Sequence, residues 1–596
     1  MRGKGKARAV LGIKNNVMNR VHLTKTIGIA VSLVALGVVL TFFLGKAFTG
    51  SKPEQRAHAT DPGPEKEIKV LEFAADAVNG AAYLTVRGNR VSVDSKTPGG
   101  IRNPKIRIVN EFPHGGGYHA VVRNKNASES IVLAAQEPAP ANRFEMRLFL
   151  RGSPLANAGP VLFDVYAVRT PELKHPYNIV VITIDTLRAD RLGCYGYKRP
   201  TSPNLDAFAK EAVLFKNAFS TSSFTPPAHA SLFTSKYVAD HGLLTWNKLP
   251  DGEVTLAEVL QDCGYMTAAS ISRTMLSRQN LGQGFDLWKE GDVRDGREVV
   301  QDGLQILRSP SNRPLFLWLH LFDVHRPYGR EPGWAKRFNA GGRAGVGDNE
   351  KDYNLASKEY RKLGNGLEGS GLSEADLQFI ADRYDAGVAY ADSVLGPLLT
   401  ELSKSPRLED TLVVVTSDHG ENLLEHRECL FSHDPFLYSV VTRIPLLIRY
   451  PKAADGGKTV ESLVSLIDIA PTVMDAIGLD VPPSFKTGRS IEPLRMEDEE
   501  WRKRKVYMEC WGWEKLKAVR SQKHLILTDM KTGKAEYYEL TNDPGELQPF
   551  PTPQSECDSR IAGLLSEFSK RKNANAEAPK LDSDLEQQLR SLGYVH

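Results

Sequence analysis

The sequence predicts an α/β protein built on a mixed, largely parallel sheet sandwiched by helices. A β-sandwich precedes this body and a small C-terminal antiparallel subdomain follows it. Three observations carry the prediction. The stretches "NIVVITIDT" (178–186), "PLFLWLHLF" (314–322) and "DTLVVVTSDHG" (410–420) are continuous apolar runs, the mark of strands buried on both faces. Helical stretches lie between and around them, including "TSPNLDAFAKEAVLF", "TLAEVLQDCGY" and "LSEADLQFIADRYDAGVAYADSVLGPLLTELSK", and strands alternating with helices give a parallel sheet. Before and after this body the texture changes to apolar–polar alternation, which fits half-exposed antiparallel strands.

Taken in order, residues 1–25 form a basic tail, with Arg2, Lys4, Lys6, Arg8, Lys14, Arg20 and Lys25 and no acid. "TIGIAVSLVALGVVLTFFLG" (26–45) follows without a charge, long enough at ~1.5 Å per residue to span ~30 Å of bilayer core. It exceeds the h-region of a cleaved signal and no A-x-A site follows closely, so 26–46 is read as an uncleaved single-pass anchor. The positive-inside rule then puts the N-terminus in the cytoplasm and the body outside, periplasmic or extracellular. Residues 47–67, with "SKPEQRAHATDPGPEKE", are a Pro-rich charged linker. Residues 68–170 alternate in short runs such as "AAYLTVRGNRVSV", "RFEMRLFLRG" and "PVLFDVYAVRT", which predicts the β-sandwich, read as a spacer. Residues 176–500 are the α/β body, with a Gly-rich, charged surface insertion at 335–370. Residues 501–575 hold the small subdomain, with strands between Val506 and Leu540, and 576–596 read as a closing tail helix.

At 596 residues the chain is about four times a typical domain length, and 41% hydrophobic content supports large cores. A net charge of +4, with no sustained basic face outside the tail, excludes a nucleic-acid partner. Five scattered cysteines without a C-x-x-C indicate neither a disulfide framework nor a cysteine zinc site.

In open α/β sheets ligands bind beyond the carboxyl ends of the strands, and two ends here carry acids: Asp185, and Asp418-His419. A lone strand-end aspartate is ordinarily a cap or turn residue. Two, one of them followed by histidine, make a hard-metal set of two carboxylates and one imidazole. "SSFTPPAHASLFTS" (222–235) supplies a hydroxyl at a helix entry, where Pro226 and Pro227 set φ and Thr225 stands at the N-cap. A simple capping threonine is the alternative. A cation that also ligates Thr225 would make it a nucleophile and polarise a phosphoryl or sulfuryl oxygen.

"NIVVITIDTLRADRLGCYGYKRPTSPNLDAFAKEAVLFKNAFS" resembles the opening of the sulfatase family, within the alkaline phosphatase superfamily. "TSDHGENLLEH", "LYSVVTRIPLLIRYP", "SLIDIAPTVMDAIGLDVP" and "YYELTNDPGE" continue it in order, over roughly 176–550. The resemblance implies a metal site of Asp185, Thr225, Asp418 and His419, holding one divalent ion (Ca, Mg, Mn or Zn). It also implies catalytic roles for Thr225 and His229 and substrate binding by His229, His325 and His433. A second metal, with Asp323 among its ligands, is the less favoured reading, and His426 reads as structural. The chain departs from the family at its nucleophile motif, C/S-x-P-x-R. Thr225 stands where family members convert Cys or Ser to formylglycine, His229 replaces the arginine, and Thr186 replaces the second aspartate of "DD". These departures resemble the threonine-nucleophile members: phosphodiesterases, phosphonate monoester hydrolases and phosphoglycerol or phosphoethanolamine transferases. The expectation is a metal-dependent hydrolase of sulfate or phosphate esters. Its alternatives are a transferase acting on envelope glycans or lipids, and a non-catalytic envelope binding protein.

Overall fold

The computed structural model describes residues 173–550, apart from short stretches at 246, 292–293, 312, 330–331, 339–372, 428–429, 486, 493–498 and 513–514, and eight strands between 72 and 169. Those strands form two four-stranded antiparallel sheets. One orders β1 (Glu72–Ala74), β4 (Lys105–Val109), β7 (Arg143–Leu150) and β6 (Ile131–Ala139); the other orders β2 (Leu84–Arg87), β3 (Arg90–Val93), β8 (Val161–Arg169) and β5 (Tyr118–Asn124). The strand content matches the alternation read there. The basic tail, the 26–46 anchor, the linker, most of the 335–370 insertion and the tail helix lie outside the described residues. Among the described residues no helix is long and apolar enough to cross a membrane.

A nine-stranded sheet organises the body. Its strands are β9 (Asn178–Ile184), β10 (Val213–Phe219), β11 (Met266–Ile271), β12 (Leu287–Lys289), β13 (Leu315–Leu321), β14 (Thr411–Thr416), β15 (Arg443–Ile444), β16 (Leu446–Arg449) and β17 (Thr459–Ser465). The order is β12-β11-β13-β9-β14-β16-β10-β15, with β17 paired to β10. From β12 to β14 every pairing is parallel, whereas β16 runs antiparallel to both β14 and β10. All three apolar runs are central strands, buried throughout β13 and β14 and almost throughout β9. Alternation along β9 divides the core. Val180, Ile182 and Ile184 join the face covered by the long helix Glu374–Lys404. Ile179 and Val181 join the opposite face, beneath the helix Thr225–Thr234.

The "TSPNLDAFAKEAVLF" stretch departs from the helical expectation. The helix α1 covers Pro203–Ala209, and Val213–Phe219 is strand β10. The Val-Leu-Phe run has strand-forming side chains, and pairing with β16 and β17 decides its conformation. The small subdomain is the antiparallel sheet β18 (Val506–Trp511), β19 (Lys515–Arg520), β20 (His524–Asp529) and β21 (Ala535–Glu539), as the sequence predicts. Cys194, Cys263 and Cys510 are free thiols.

Candidate active site

Strands β13, β9 and β14 lie side by side and parallel, so their carboxyl ends open on one edge of the sheet. Asp185 follows β9 directly, and Asp418-His419 follows β14 by one residue. Ligand atoms of Asp185, Asp418 and His419 all fall within 4.8 Å of one another, across 233 residues of sequence, and all three side chains are buried. Asp185 shares the odd-numbered parity of Ile179 and Val181, which aims it at the face that carries α2 (Thr225–Thr234).

Thr225 opens α2, and the partners of its hydroxyl are side chains of other elements rather than the helix amides. This corrects the N-cap placement: Phe224 is the extended cap residue, and Thr225 is the first helical one. The Thr225 hydroxyl instead donates to Asp185 Oδ2 at 3.2 Å and lies 3.2 Å from His419 Nε2. Pro226 and Pro227 lack N–H groups, so the helix end offers its dipole but few amide donors. Ser231, also in the motif, is no competitor. His241 Nδ1 accepts from the Leu243 amide, so Nε2 carries the proton and donates to Ser231 Oγ at 3.1 Å. An imidazole that donates to a hydroxyl cannot take its proton.

The residues fit a divalent cation. Asp185 Oδ1 and Asp418 Oδ2 are fully buried oxygens with no hydrogen-bond partner, a costly arrangement for charged groups without an ion. Burial, and next the Asp418 carboxylate, push the Asp185 carboxyl well above its ordinary range. Burial also acts on Asp418, but the imidazoles of His419, His229 and His320 outweigh it and hold that group low. Asp418 Oδ1 accepts from the amides of Thr186 and His419, which fixes the carboxylate with Oδ2 left over. His419 Nδ1 must donate to the Gly420 carbonyl at 2.9 Å, leaving Nε2 as a lone-pair donor beside Thr225. Two oxygens, one imidazole nitrogen and a hydroxyl suit Mg, Ca, Mn or Zn.

His229 is placed differently from its expected role as catalytic and substrate-binding residue. Its Nδ1 donates to the Thr225 carbonyl at 2.8 Å, and its Nε2 accepts from Thr183 Oγ1 at 3.1 Å. Thr183 in turn accepts from the Trp318 indole N–H at 3.0 Å. Both ring nitrogens are therefore used in holding the first turn of α2 to β9. Burial pushes the ring down to about 4, so it is neutral at pH 7. His433 lies nearer the expectation. Its ring centroid is 4.4 Å from that of His419, and its Nδ1 donates to Glu421 Oε1 at 3.0 Å. His325 stands one layer further out, 5.4 Å from His433 between ring centroids, stacked on Phe322 and donating from Nδ1 to the Arg326 carbonyl. Asp323 Oδ1 accepts from the amide of Gly296 at the start of the helix Gly296–Arg308, and among the described residues Asp323 belongs to no metal-type cluster. His426 stacks on Tyr438 at 3.7 Å, a packing role as expected.

Sequence reading missed several residues. His320 is fully buried, with Nε2 3.3 Å from Asp185 Oδ2, and neither ring nitrogen has a hydrogen bond with good geometry. The strand-end rule pointed to it, since it lies in β13 opposite Thr183. Arg188, 2% exposed, ties the two ligand-bearing loops together. It forks onto Asp190 and donates to Glu421 O and Glu425 Oε1, while its own amide donates to Tyr384 of the long helix. Tyr384 donates back to the Thr186 carbonyl at 2.6 Å. That grip holds Thr186 at φ 57°, a left-handed conformation that a β-branched residue adopts only under constraint.

Comparison with known proteins now decides the family. The sulfatase family model matches residues 177–479, which is half of the chain and spans every residue of the site. The chain belongs to the sulfatase family. A second family model, for the C-terminal part of N-sulphoglucosamine sulphohydrolase, matches 425–570. The chain is 26% identical over 472 residues to the N-acetylglucosamine-6-O-sulfatase of Bacteroides thetaiotaomicron, covering 63% of this chain and 82% of that protein. The fold also matches a solved structure in complex with its substrate D-glucosamine-2-N,6-O-disulfate (TM-score 0.57, 22% identity, 68% of this chain, 100% of that one). The phosphonate monoester hydrolase of Agrobacterium radiobacter is similar at TM-score 0.54 and 19% identity, over 68% of this chain and 98% of that one. As a sulfatase-family protein of the alkaline phosphatase superfamily, it is an ester hydrolase.

Proposed function

We propose that this sulfatase-family enzyme cleaves sulfate or phosphate esters by direct attack of the Thr225 hydroxyl, with Asp185, Asp418, His419 and Thr225 holding one divalent ion. The observation that carries the reading is the position of Thr225 Oγ1, 3.2 Å from both Asp185 Oδ2 and His419 Nε2 at the meeting point of two strand ends. When bound, the ion supplies Lewis acidity that lowers the hydroxyl's pKa and offsets charge on the ester oxygens. The chain's own residues do the rest. Thr183 and His229 fix the first turn of α2, so the attacking oxygen is preorganised rather than recruited. The bond from Thr225 Oγ1 to sulfur or phosphorus forms as the bond to the leaving oxygen breaks; the Thr225 hydroxyl gives up its proton and the leaving oxygen takes one, so the proton count is unchanged. His433, oriented by Glu421, and His325 behind it face the ester's outer oxygens and its leaving group. Water then attacks the same central atom, releasing the anion and restoring the hydroxyl.

A hydroxyl at this position favours phosphoryl centres as a second reading. Family members with formylglycine release sulfate by elimination from carbon, a route closed to threonine, whereas displacement at phosphorus is ordinary chemistry. The uncharged run 26–45 behind a basic tail supports a body held outside the cytoplasm by an N-terminal anchor. The test is an assay of the full-length protein with each of Mg, Ca, Mn and Zn on 4-nitrophenyl sulfate, phosphate mono- and diesters and a phosphonate monoester, beside Thr225→Ala. Loss of turnover by about 10³-fold or more is expected for the variant. Full activity in Thr225→Ala sinks the assignment, and turnover of sulfate alone sinks the phosphoryl preference.

A further inference from the structure

In the apolar run "PLFLWLHLF", which forms β13, His320 is the residue out of character. Strand parity decides where it points. Phe316 and Trp318 join the core on the face of the sheet that carries α2, and His320 continues that series, as Asp185 does from β9. Its backbone is held on both sides. β13 sets His320 opposite Thr183 on β9 and Ile271 on β11, and the His320 carbonyl accepts from the Ser272 amide at 3.1 Å and the Ser272 hydroxyl at 3.0 Å.

The imidazole itself is fully buried, and neither Nδ1 nor Nε2 makes a hydrogen bond among the described residues. The polar groups around it are already engaged. The His229 ring, 5.1 Å away between centroids, uses both nitrogens on Thr225 and Thr183, and the Trp318 indole N–H is given to Thr183. A buried polar side chain left unpaired is destabilising, so these nitrogens point to a partner that is not a protein group.

Nε2 lies 3.3 Å from Asp185 Oδ2, and the contact lacks the alignment of a hydrogen bond. The same spacing recurs around the site. Thr225 Oγ1 is 3.2 Å from Asp185 Oδ2 and from His419 Nε2, and His419 Nε2 is 3.3 Å from Asp418 Oδ2. Neighbouring ligands of a cation held at about 2.1 Å sit about 3 Å apart, along one edge of the coordination polyhedron. His320 therefore extends the compact set of Asp185, Asp418 and His419 by one such edge, from the Asp185 side.

We propose that His320 is a further ligand of the divalent ion, through Nε2, and that this second imidazole makes the site prefer Zn over Mg and Ca. This rests on the reading that Asp185, Thr225, Asp418 and His419 hold that ion. Imidazole nitrogen suits Zn, whereas Mg and Ca favour oxygen ligands. One imidazole among oxygens leaves the choice of metal open, and a second tilts it toward the ion that binds nitrogen well.

The test loads chelator-stripped, full-length protein with Zn alone and counts imidazoles by X-ray absorption at the zinc edge. Two are expected in the wild-type protein, His419 and His320, and one in His320→Gln, which stays polar and similar in size. Competition against a chromophoric chelator supplies a second readout. His320→Gln lowers the Zn affinity by about 10–100-fold and the ratio of Zn to Mg affinity by at least about tenfold, while thermal unfolding of the stripped protein checks the fold. One imidazole on zinc in the wild-type protein overturns the proposal whether or not the variant folds. So do two imidazoles in His320→Gln, and so does a loss shared equally by Zn and Mg, which marks His320 as a positioning residue for Asp185. A protein that binds no divalent ion removes the cation reading and the proposal together. Full turnover in a Thr225→Ala protein whose zinc keeps two imidazoles leaves the proposal standing and removes the nucleophile reading instead.

Discussion

At Thr225 two local descriptions compete, a capping hydroxyl and a nucleophile, and the geometry removes the first. A capping side chain bonds the amides of its own helix, whereas this one reaches Asp185 and His419. Thr225→Ser keeps a hydroxyl on the same turn and retains measurable turnover, whereas Thr225→Ala does not; initial rates on whichever 4-nitrophenyl ester the enzyme accepts read the difference. Thr186 makes a second prediction at this scale. Asparagine tolerates the left-handed region, so Thr186→Asn relieves strain and raises the unfolding free energy of the cation-free protein by about 1 kcal/mol. Denaturant titration checks it, and a loss of stability contradicts it. The residue scale is also where sequence reading reached least far. Asp185, Asp418, His419 and Thr225 were legible because strand ends and a Pro-marked helix start leave signatures. His229 was not, because its role depends on Thr183 and Trp318, 46 and 89 positions away, meeting it in space.

The site's accuracy comes from elements rather than from single bonds. Three parallel strands present their ends together, and the long helix Glu374–Lys404 reaches across through Tyr384 to grip the loop after β9. Arg188 then fastens that loop to the one after β14. Lysine cannot reproduce a planar fork that serves Asp190, Glu421 and Glu425 together. Arg188→Lys should therefore weaken cation binding by about 10–100-fold, measured by calorimetry with Mn or Zn on the full chain. Unchanged affinity would show that the loops hold their places without the clamp. The strands themselves were readable as continuous apolar runs. The boundary at 210–213 was not, because β10 earns its conformation from β16 and β17, more than 230 residues downstream.

For the whole molecule, buried neutral imidazoles set the acid limit. His241 is pushed down to about 3 by burial and then by Lys236, and His229 and His320 are pushed down to about 4, chiefly by burial, from an ordinary value of 6.5. Below pH 6.5 the unfolded chain binds protons that the folded chain refuses, so stability is full above that pH and falls as the pH drops toward 4. Thermal unfolding followed across that window shows the decline, and His241→Gln, which keeps the donor to Ser231, makes it shallower. A cation at the proposed Asp185, Asp418 and His419 site would add about 2.7 kcal/mol of stability at a hundredfold excess over Kd, which a chelator would reverse. The architecture of the body, a mixed sheet with a C-terminal antiparallel sheet, was legible from hydrophobic texture alone. The chemistry of the ester was not, because the hydroxyl inclines toward phosphorus without closing the route at sulfur. The central claim is the covalent step at Thr225, and the most direct measurement is mass spectrometry of rapidly quenched, full-length enzyme during turnover of its preferred 4-nitrophenyl ester. A sulfo or phospho group on the peptide containing Thr225, absent from Thr225→Ala, is the predicted result; turnover with no adduct there, or an adduct on another residue, contradicts the account.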